Sequence, residues 1–231
     1  MTALDGVAWT ELAGRHDLLL VVPLGSCEQH GPHLPFDVDT CVASAVAGSV
    51  AAPDGVVLGP AVPYGASGEH EGFPGTVSIG TEALQLVLVE LGRSASRWAA
   101  RLLLVNGHGG NATALVGAVR QLRAEGRDVA WWPCAVAGAD AHAGRTETSI
   151  LLSLSPSRVG SERVAGRTEP VGALMSELRA GGVAVVSANG VLGDPAGATA
   201  AEGDRLLAEL RDRLRADLLA WQVGADGRLG R

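Results

Sequence analysis

Apolar residues fall along this chain in two alternating rhythms. Short runs at 18–23, 56–58, 102–106, 129–133 and 183–186 are bounded by Gly, Pro or Asn and predict buried strands. Between them, Leu, Val and Ala recur at three- and four-residue steps, which predicts helices over 40–52, 81–100, 112–125 and 196–222. The last is the longest, with Leu206, Leu207, Leu210, Leu214 and Leu218 in helical register. Asp39-Thr40 and Thr81-Glu82 offer N-caps for two of these helices. Strand alternating with helix predicts one layered α/β/α domain over residues 1–231, with a mainly parallel sheet. In such sheets ligands gather beyond the carboxyl ends of the strands. The two richest polar loops, after Pro23 and after Val105, both lie at such ends.

Composition narrows the class. With 231 residues, 47% of them hydrophobic and 19% charged, the chain is globular and can bury a large core. All 18 basic residues are Arg, and the formal net charge of −7 with no basic cluster disfavours nucleic acid as a partner. Cys27, Cys41 and Cys134 form neither a C-x-x-C nor an even disulfide set, which suits a reducing cytoplasm, and Cys27 reads as a packed small residue. The N-terminus carries no basic leader, and no apolar run approaches the ~18–20 residues of a membrane span. The expectation is a cytoplasmic chain with no membrane partner.

Candidate chemistry is concentrated in four loops. Glu28, His30, His33, Asp37 and Asp39 crowd the segment leaving the first long strand, an arrangement that is costly unless a cation binds there. Asp39 could hold two cations at once, or merely cap the helix that follows. After the run 102–106 comes Asn106-Gly107-His108-Gly109-Gly110-Asn111, where glycines permit close approach to a ligand and His108 reads as a metal ligand. Backbone N–H groups of Gly109 and Gly110 are candidates for steadying substrate. His142 could serve as acid or base, with Glu147 as a ligand, a catalytic partner or a helix cap. The loop with Ser67, Glu69 and His70, dense in Gly and Pro, reads as a shaped substrate loop. No nucleophile elbow, phosphate loop or H-E-x-x-H helix is present.

With these residues in hand, the chain resembles the creatininase family of metal-dependent amidohydrolases. The resemblance rests on Pro23-Leu24-Gly25-Ser26-Cys27-Glu28-Gln29-His30-Gly31-Pro32-His33-Leu34-Pro35, Asp39, Phe73-Pro74-Gly75-Thr76, the 106–111 motif, His142-Ala143-Gly144 and Glu147-Thr148-Ser149. It implies two divalent ions, Fe²⁺, Zn²⁺ or Mn²⁺. Glu28 and His108 would hold one and His30 the other, with Asp39 bridging; His33 and Asp37 then become loop-shaping residues. The creatinine-hydrolysing branch carries a Glu at the position of Gly110, for which Glu147 is the candidate replacement, and a Trp at the position of Gly138. That Trp packs on creatinine, so its absence counts against creatinine. Segments 67–80, 140–149 and 189–195 look instead like a peptide-trimming branch, which releases a modified C-terminal Val-Tyr dipeptide from a short peptide. The resemblance also implies a homo-oligomer. The alternatives are a small-molecule amidohydrolase acting on creatinine or a formamide, and a non-catalytic metal-binding protein.

Overall fold

A computed structural model describes residues 2–50 and 54–230. Five parallel strands form one sheet: β1 (Thr2–Ala3), β2 (Leu19–Leu24), β3 (Val56–Leu58), β4 (Arg101–Asn106) and β5 (Val129–Pro133), in the order β1-β3-β2-β4-β5. Side chains alternate across a strand, and both faces here are apolar, so every second residue serves a different core. Leu20, Val22, Leu24, Leu102 and Leu104 face one apolar cluster, while Leu19, Val21, Leu103 and Val105 face the other. The first cluster is closed by α3 (Thr81–Ala95) and α4 (Ala112–Ala124). The second is closed by α2 (Val38–Gly48), α5 (Arg145–Leu154) and α7 (Ala200–Ala220). A short α1 (Trp9–Leu12) precedes β2. The result is the expected α/β/α layering.

Differences from expectation have local causes. The helix predicted over 81–100 stops at Ala95, because Arg101 already pairs with Leu19 in the sheet and the chain needs a turn to get there. Neither predicted N-cap forms: Asp37 and Gly80 occupy the cap positions without a side-chain bond, whereas Thr199 caps α7 by accepting from the Glu202 N–H at 3.2 Å. Positions 51 and 52, the end of the helix predicted over 40–52, lie outside the described residues. The largest correction concerns 183–186, predicted as a strand. It is the tail of α6 (Val171–Val186), which kinks where Gly182 adopts φ +71°. Val183 and Val186, three apart, bury on one side against Leu174 and Leu192 in a third, small cluster. Their β-branched character fits a strand, but helical spacing delivers the burial.

The topology positions the site. From β2 the chain runs outward to β3, then crosses back to β4 on the other side of β2. Loops leaving β2 and β4 therefore part company at this reversal, which opens a crevice at their carboxyl ends.

Candidate metal centre

The crevice holds a cavity of about 820 Å³, bordered by Glu28, Asp39, Glu69, His70, His108, His142 and Glu147, with α6 opposite. Glu28, Asp39 and His108 offer ligand atoms within 4.8 Å of one another, as do His30, Asp39 and Glu147. Asp39 belongs to both groups. Glu28, His30, Asp39 and His108 are all buried, and Glu147 is half-buried.

Each side chain is aimed by its backbone and neighbours. His30 Nδ1 donates to the Glu28 carbonyl at 3.0 Å, which leaves Nε2 free, 3.5 Å from Asp39 Oδ1 and 3.9 Å from Glu147 Oε2. His108 Nε2 donates to the Ala66 carbonyl at 3.1 Å, so its Nδ1 lone pair faces Glu28 Oε2 at 3.2 Å and Asp39 Oδ2 at 3.6 Å. A donor on the far nitrogen is what fixes the tautomer of a metal-binding histidine. Asp39 sits in the first turn of α2, against which the β4 loop must close. A Cβ on Gly107 would lie 2.2 Å from the Asp39 carbonyl, so only glycine permits that approach. Glu147, in the first turn of α5, accepts from the Ala143 N–H at 2.6 Å. The cap-like bond expected of Glu147 exists, and it points the carboxyl at His30.

Electrostatics and unmet polar atoms test whether cations fit. Burial lowers the proton affinity of His30, yet Asp39, Glu147 and Glu28 carry it up to about 10. Burial likewise opposes charge on His108, but Glu28 and Asp39 raise it to about 9. Burial disfavours ionised Glu28, and His108, His70 and His30 still hold it well below the usual carboxylate range. Burial raises Glu147 above that range. The site therefore draws positive charge into a buried place. Glu28 Oε1 and His30 Nε2 are buried with no hydrogen-bond partner, the state expected of atoms awaiting a ligand. Imidazole and carboxylate donors fall in three overlapping groups, the third being Glu28, His30 and His142, and the two that share Asp39 fit a pair of divalent ions.

The other expected residues fall around this core. His142 Nε2 donates to the Gln29 carbonyl at 2.7 Å, and its ring centroid lies 4.3 Å from that of His30. Burial and the neighbouring His30 and His70 keep His142 neutral, far below its ordinary range. His70 Nε2 lies 3.4 Å from Glu28 Oε1, closer to the ligand groups than the sequence suggested. Glu69 Oε1 is 3.5 Å from His108 Nε2, and burial raises its carboxyl. A Cβ on Gly110 would meet Glu69 Oε1 at 2.7 Å, so Glu69 stands over this bare backbone, while Glu147, the expected replacement carboxylate, lies with His30 and Asp39. Gly109 and Gly110 border the cavity, but Ser67 is fully buried behind His108, with Oγ 3.4 Å from Nε2. His33 Nε2 pairs with Thr148 Oγ1 at 2.9 Å, and Asp37 pairs with Arg158, so both tie loops together away from the cavity.

Sequence reasoning missed the uncharged supports. Ser26 Oγ lies 2.9 Å from Glu28 Oε2 and also contacts Asp39 Oδ2, so its single proton serves either carboxylate. Gln29 Nε2 donates to His70 Nδ1 at 2.9 Å and to the Gly190 carbonyl at 3.0 Å. Asn111 Nδ2 donates to the Gly25 carbonyl at 2.9 Å while its Oδ1 accepts from Ala66 N–H at 2.8 Å, joining three loops. Position inside the motifs was the available signal for all three.

The creatininase pattern, described as creatinine amidohydrolase, matches residues 5–218. The chain belongs to the creatininase family. This creatininase-family hydrolase, which acts on C–N amide bonds, is 57% identical over 218 residues to the mycofactocin precursor peptide peptidase of Mycolicibacterium smegmatis, covering 91% of this chain and 88% of that one. It is 32% identical over 194 residues to the creatinine amidohydrolase of Pseudomonas putida, covering 68% and 74%. Among solved structures, a mutant creatininase of zinc–zinc type superposes with a TM-score of 0.73 at 26% identity, covering 94% of this chain and 96% of that one.

Proposed function

We propose that the chain releases the modified C-terminal Val-Tyr dipeptide from a short modified peptide, the mycofactocin precursor, using two divalent ions. The observation that carries this is the pair of ligand groups sharing Asp39 at the cavity floor. The peptide substrate is supported by the 57% identical relative named as a peptidase of that precursor. Glu28 and His108 would hold one ion, His30 and Glu147 the other, and Asp39 both. Zn²⁺ is the first choice, since a solved relative is of zinc–zinc type, and Fe²⁺ or Mn²⁺ suit the same donors.

When bound, the ions supply an activated water and polarise the amide carbonyl. The chain does the rest. His142, its Nε2–H committed to Gln29, keeps the Nδ1 lone pair 3.7 Å from Glu28 Oε1 and can take a proton there and pass it to the leaving nitrogen. Gly109 and Gly110 line the cavity, and their backbone N–H groups are the candidates to steady charge developing on the carbonyl oxygen. Glu69 and His70 border the substrate, and Ser67 supports His108 from behind. Creatinine suits this cavity poorly. Among the described residues no Trp, Tyr or Phe lines it, and Gly138 lies exposed outside it.

The test is incubation of metal-loaded protein with a peptide ending in Val-Tyr, modified and unmodified, and separately with creatinine. Dipeptide release that chelator abolishes and metal restores is the expected result. Creatinine turnover without dipeptide release would overturn it. The same reading takes the chain as a cytoplasmic homo-oligomer. Among the described residues no helix is long and apolar enough to cross a membrane, and Leu86 and Val87 lie exposed side by side on α3. Sedimentation gives the assembly size.

A further inference from the structure

The wall opposite the metal centre has a different character. Val171, Met175 and Leu178 recur at helical spacing along α6, so one face of that helix borders the cavity, continued by Val183 beyond the kink. Val171 is 47% exposed although it faces a cavity, so this apolar surface awaits contact. Arg179 is the only arginine or lysine among the described residues of the lining, which also holds four carboxylates: Glu28, Asp39, Glu69 and Glu147. Nearby Arg167 is paired with Glu169 at 2.9 Å and Glu177 at 3.5 Å, while Arg179 forms no ion pair among the described residues.

We infer that the α6 wall is the subsite for the leaving fragment, and that Met175, Leu178 and Arg179 select an aromatic side chain there. This rests on the peptide-hydrolase reading above. A cavity of about 820 Å³ has room for the whole leaving dipeptide, so that fragment can be enclosed against α6. The carboxylate-rich side is reserved for ions and the scissile amide, and an apolar group must fill the rest. An acidic side chain would meet Arg179 but leave the apolar surface of Val171 and Leu178 uncovered. An aliphatic one would cover Val171 and Leu178 but leave the guanidinium unused. An aromatic ring satisfies both, because thioether sulfur packs well on ring edges and guanidinium stacks on ring faces or donates to a polar tip.

The experiment compares kcat/KM of the metal-loaded enzyme for two peptides identical except that one ends in Val-Tyr and the other in Val-Ala. Wild type is expected to prefer the Tyr peptide by roughly 10–200-fold, the range a shaped apolar pocket achieves. Met175→Trp, which fills the pocket, and Met175→Ala, which empties it, should each cut that preference about tenfold. Arg179→Ala should cut it severalfold, and its exposed position keeps the test valid if the Met175 variants fail to fold. Calorimetric binding of the free dipeptides Val-Tyr and Val-Ala should show the same order without turnover. Equal wild-type values for the two peptides, or a preference that none of the substitutions moves, would overturn the inference. If neither peptide is cleaved, the peptide-hydrolase reading itself falls and takes this subsite with it.

Discussion

The two walls of the cavity are built in opposite ways. The polar wall grows from the ends of β2 and β4 and the first turns of α2 and α5, all rooted in the two large apolar clusters that sandwich the sheet. The α6 wall stands on a satellite cluster with four fully buried members, Leu174, Val183, Val186 and Leu192. Free energies of local opening follow the density of buried apolar contact, so the α6 wall is the more easily remodelled of the two. Reaction geometry, which tolerates little displacement, sits on the rigid wall. Selectivity, which can change without disturbing the reaction, sits on the other. Predictions that separate the walls can break this division.

The strongest blow falls on Asp39, the residue common to both ligand groups. Asp39→Ala should remove both metal positions and reduce turnover by roughly 10⁴-fold, the scale seen when one member of a cooperating site is lost. Elemental analysis together with the dipeptide-release assay checks this. A variant that keeps two ions and full activity would show that Asp39 bridges nothing. Ser26→Ala is a milder probe of the same wall, because Ser26 touches both Glu28 and Asp39 without belonging to either ligand group. Loss of such a support costs about 10–100-fold in metal affinity, readable by competition with a fluorescent chelator. Unchanged affinity would make the hydroxyl a passive filler.

Acidity offers a third test of the polar wall alone. In the metal-free protein His30 and His108 have proton affinities of about 10 and 9, so both are protonated at pH 7. Binding through Nε2 of His30 and Nδ1 of His108 needs the neutral ring, so each ion expels a proton. Filling both positions at pH 7 should release about two to three protons, one per histidine and part of one from Glu147, whose carboxyl burial raises to about 7. Metal affinity should climb as pH rises through 9 and level off only above about 10, where the free rings lose their protons unaided. Calorimetry in buffers of different ionisation enthalpy counts these protons. A count near zero would mean that the histidines do not ligate.

The polar wall was legible because its residues are of chemically rare types packed into contiguous motifs. Glu28-x-His30, Asp39 and His108 announce a cation from the chain alone, and the alternating apolar runs put their loops at strand ends. Ser26, Gln29 and Asn111 escaped notice because hydroxyl and amide side chains are common, and only their folded partners reveal their work. The α6 wall was illegible for another reason. Gly181-Gly182 ahead of Val183–Val186 reads as a turn before a strand, and a four-residue apolar run cannot declare its own period. What decided its conformation was the small cluster it had to fill, a tertiary fact absent from local pattern.

The gentlest prediction concerns the hinge of that second wall. Gly182 holds φ +71°, and a Cβ there would lie 2.6 Å from the Glu69 carbonyl. Gly182→Ala therefore combines left-handed strain with a backbone clash, and strain alone costs roughly 1–2 kcal/mol. If α6 opens independently of the sheet, the loss should appear locally, as amide exchange in α6 faster by about 5–30-fold, the factor corresponding to that energy. Exchange in β2 and β4 should stay at its wild-type rate, because their protection depends on the two large clusters, which contain no α6 residue. Glu69 would shift with the hinge, so the Tyr-over-Ala preference should weaken while metal content stays at two. Hydrogen exchange read by mass spectrometry and elemental analysis on one preparation settle the matter. Faster exchange in β2 and β4, or loss of metal on this substitution, would mean that the walls open as one unit and that selectivity cannot be tuned apart from the reaction.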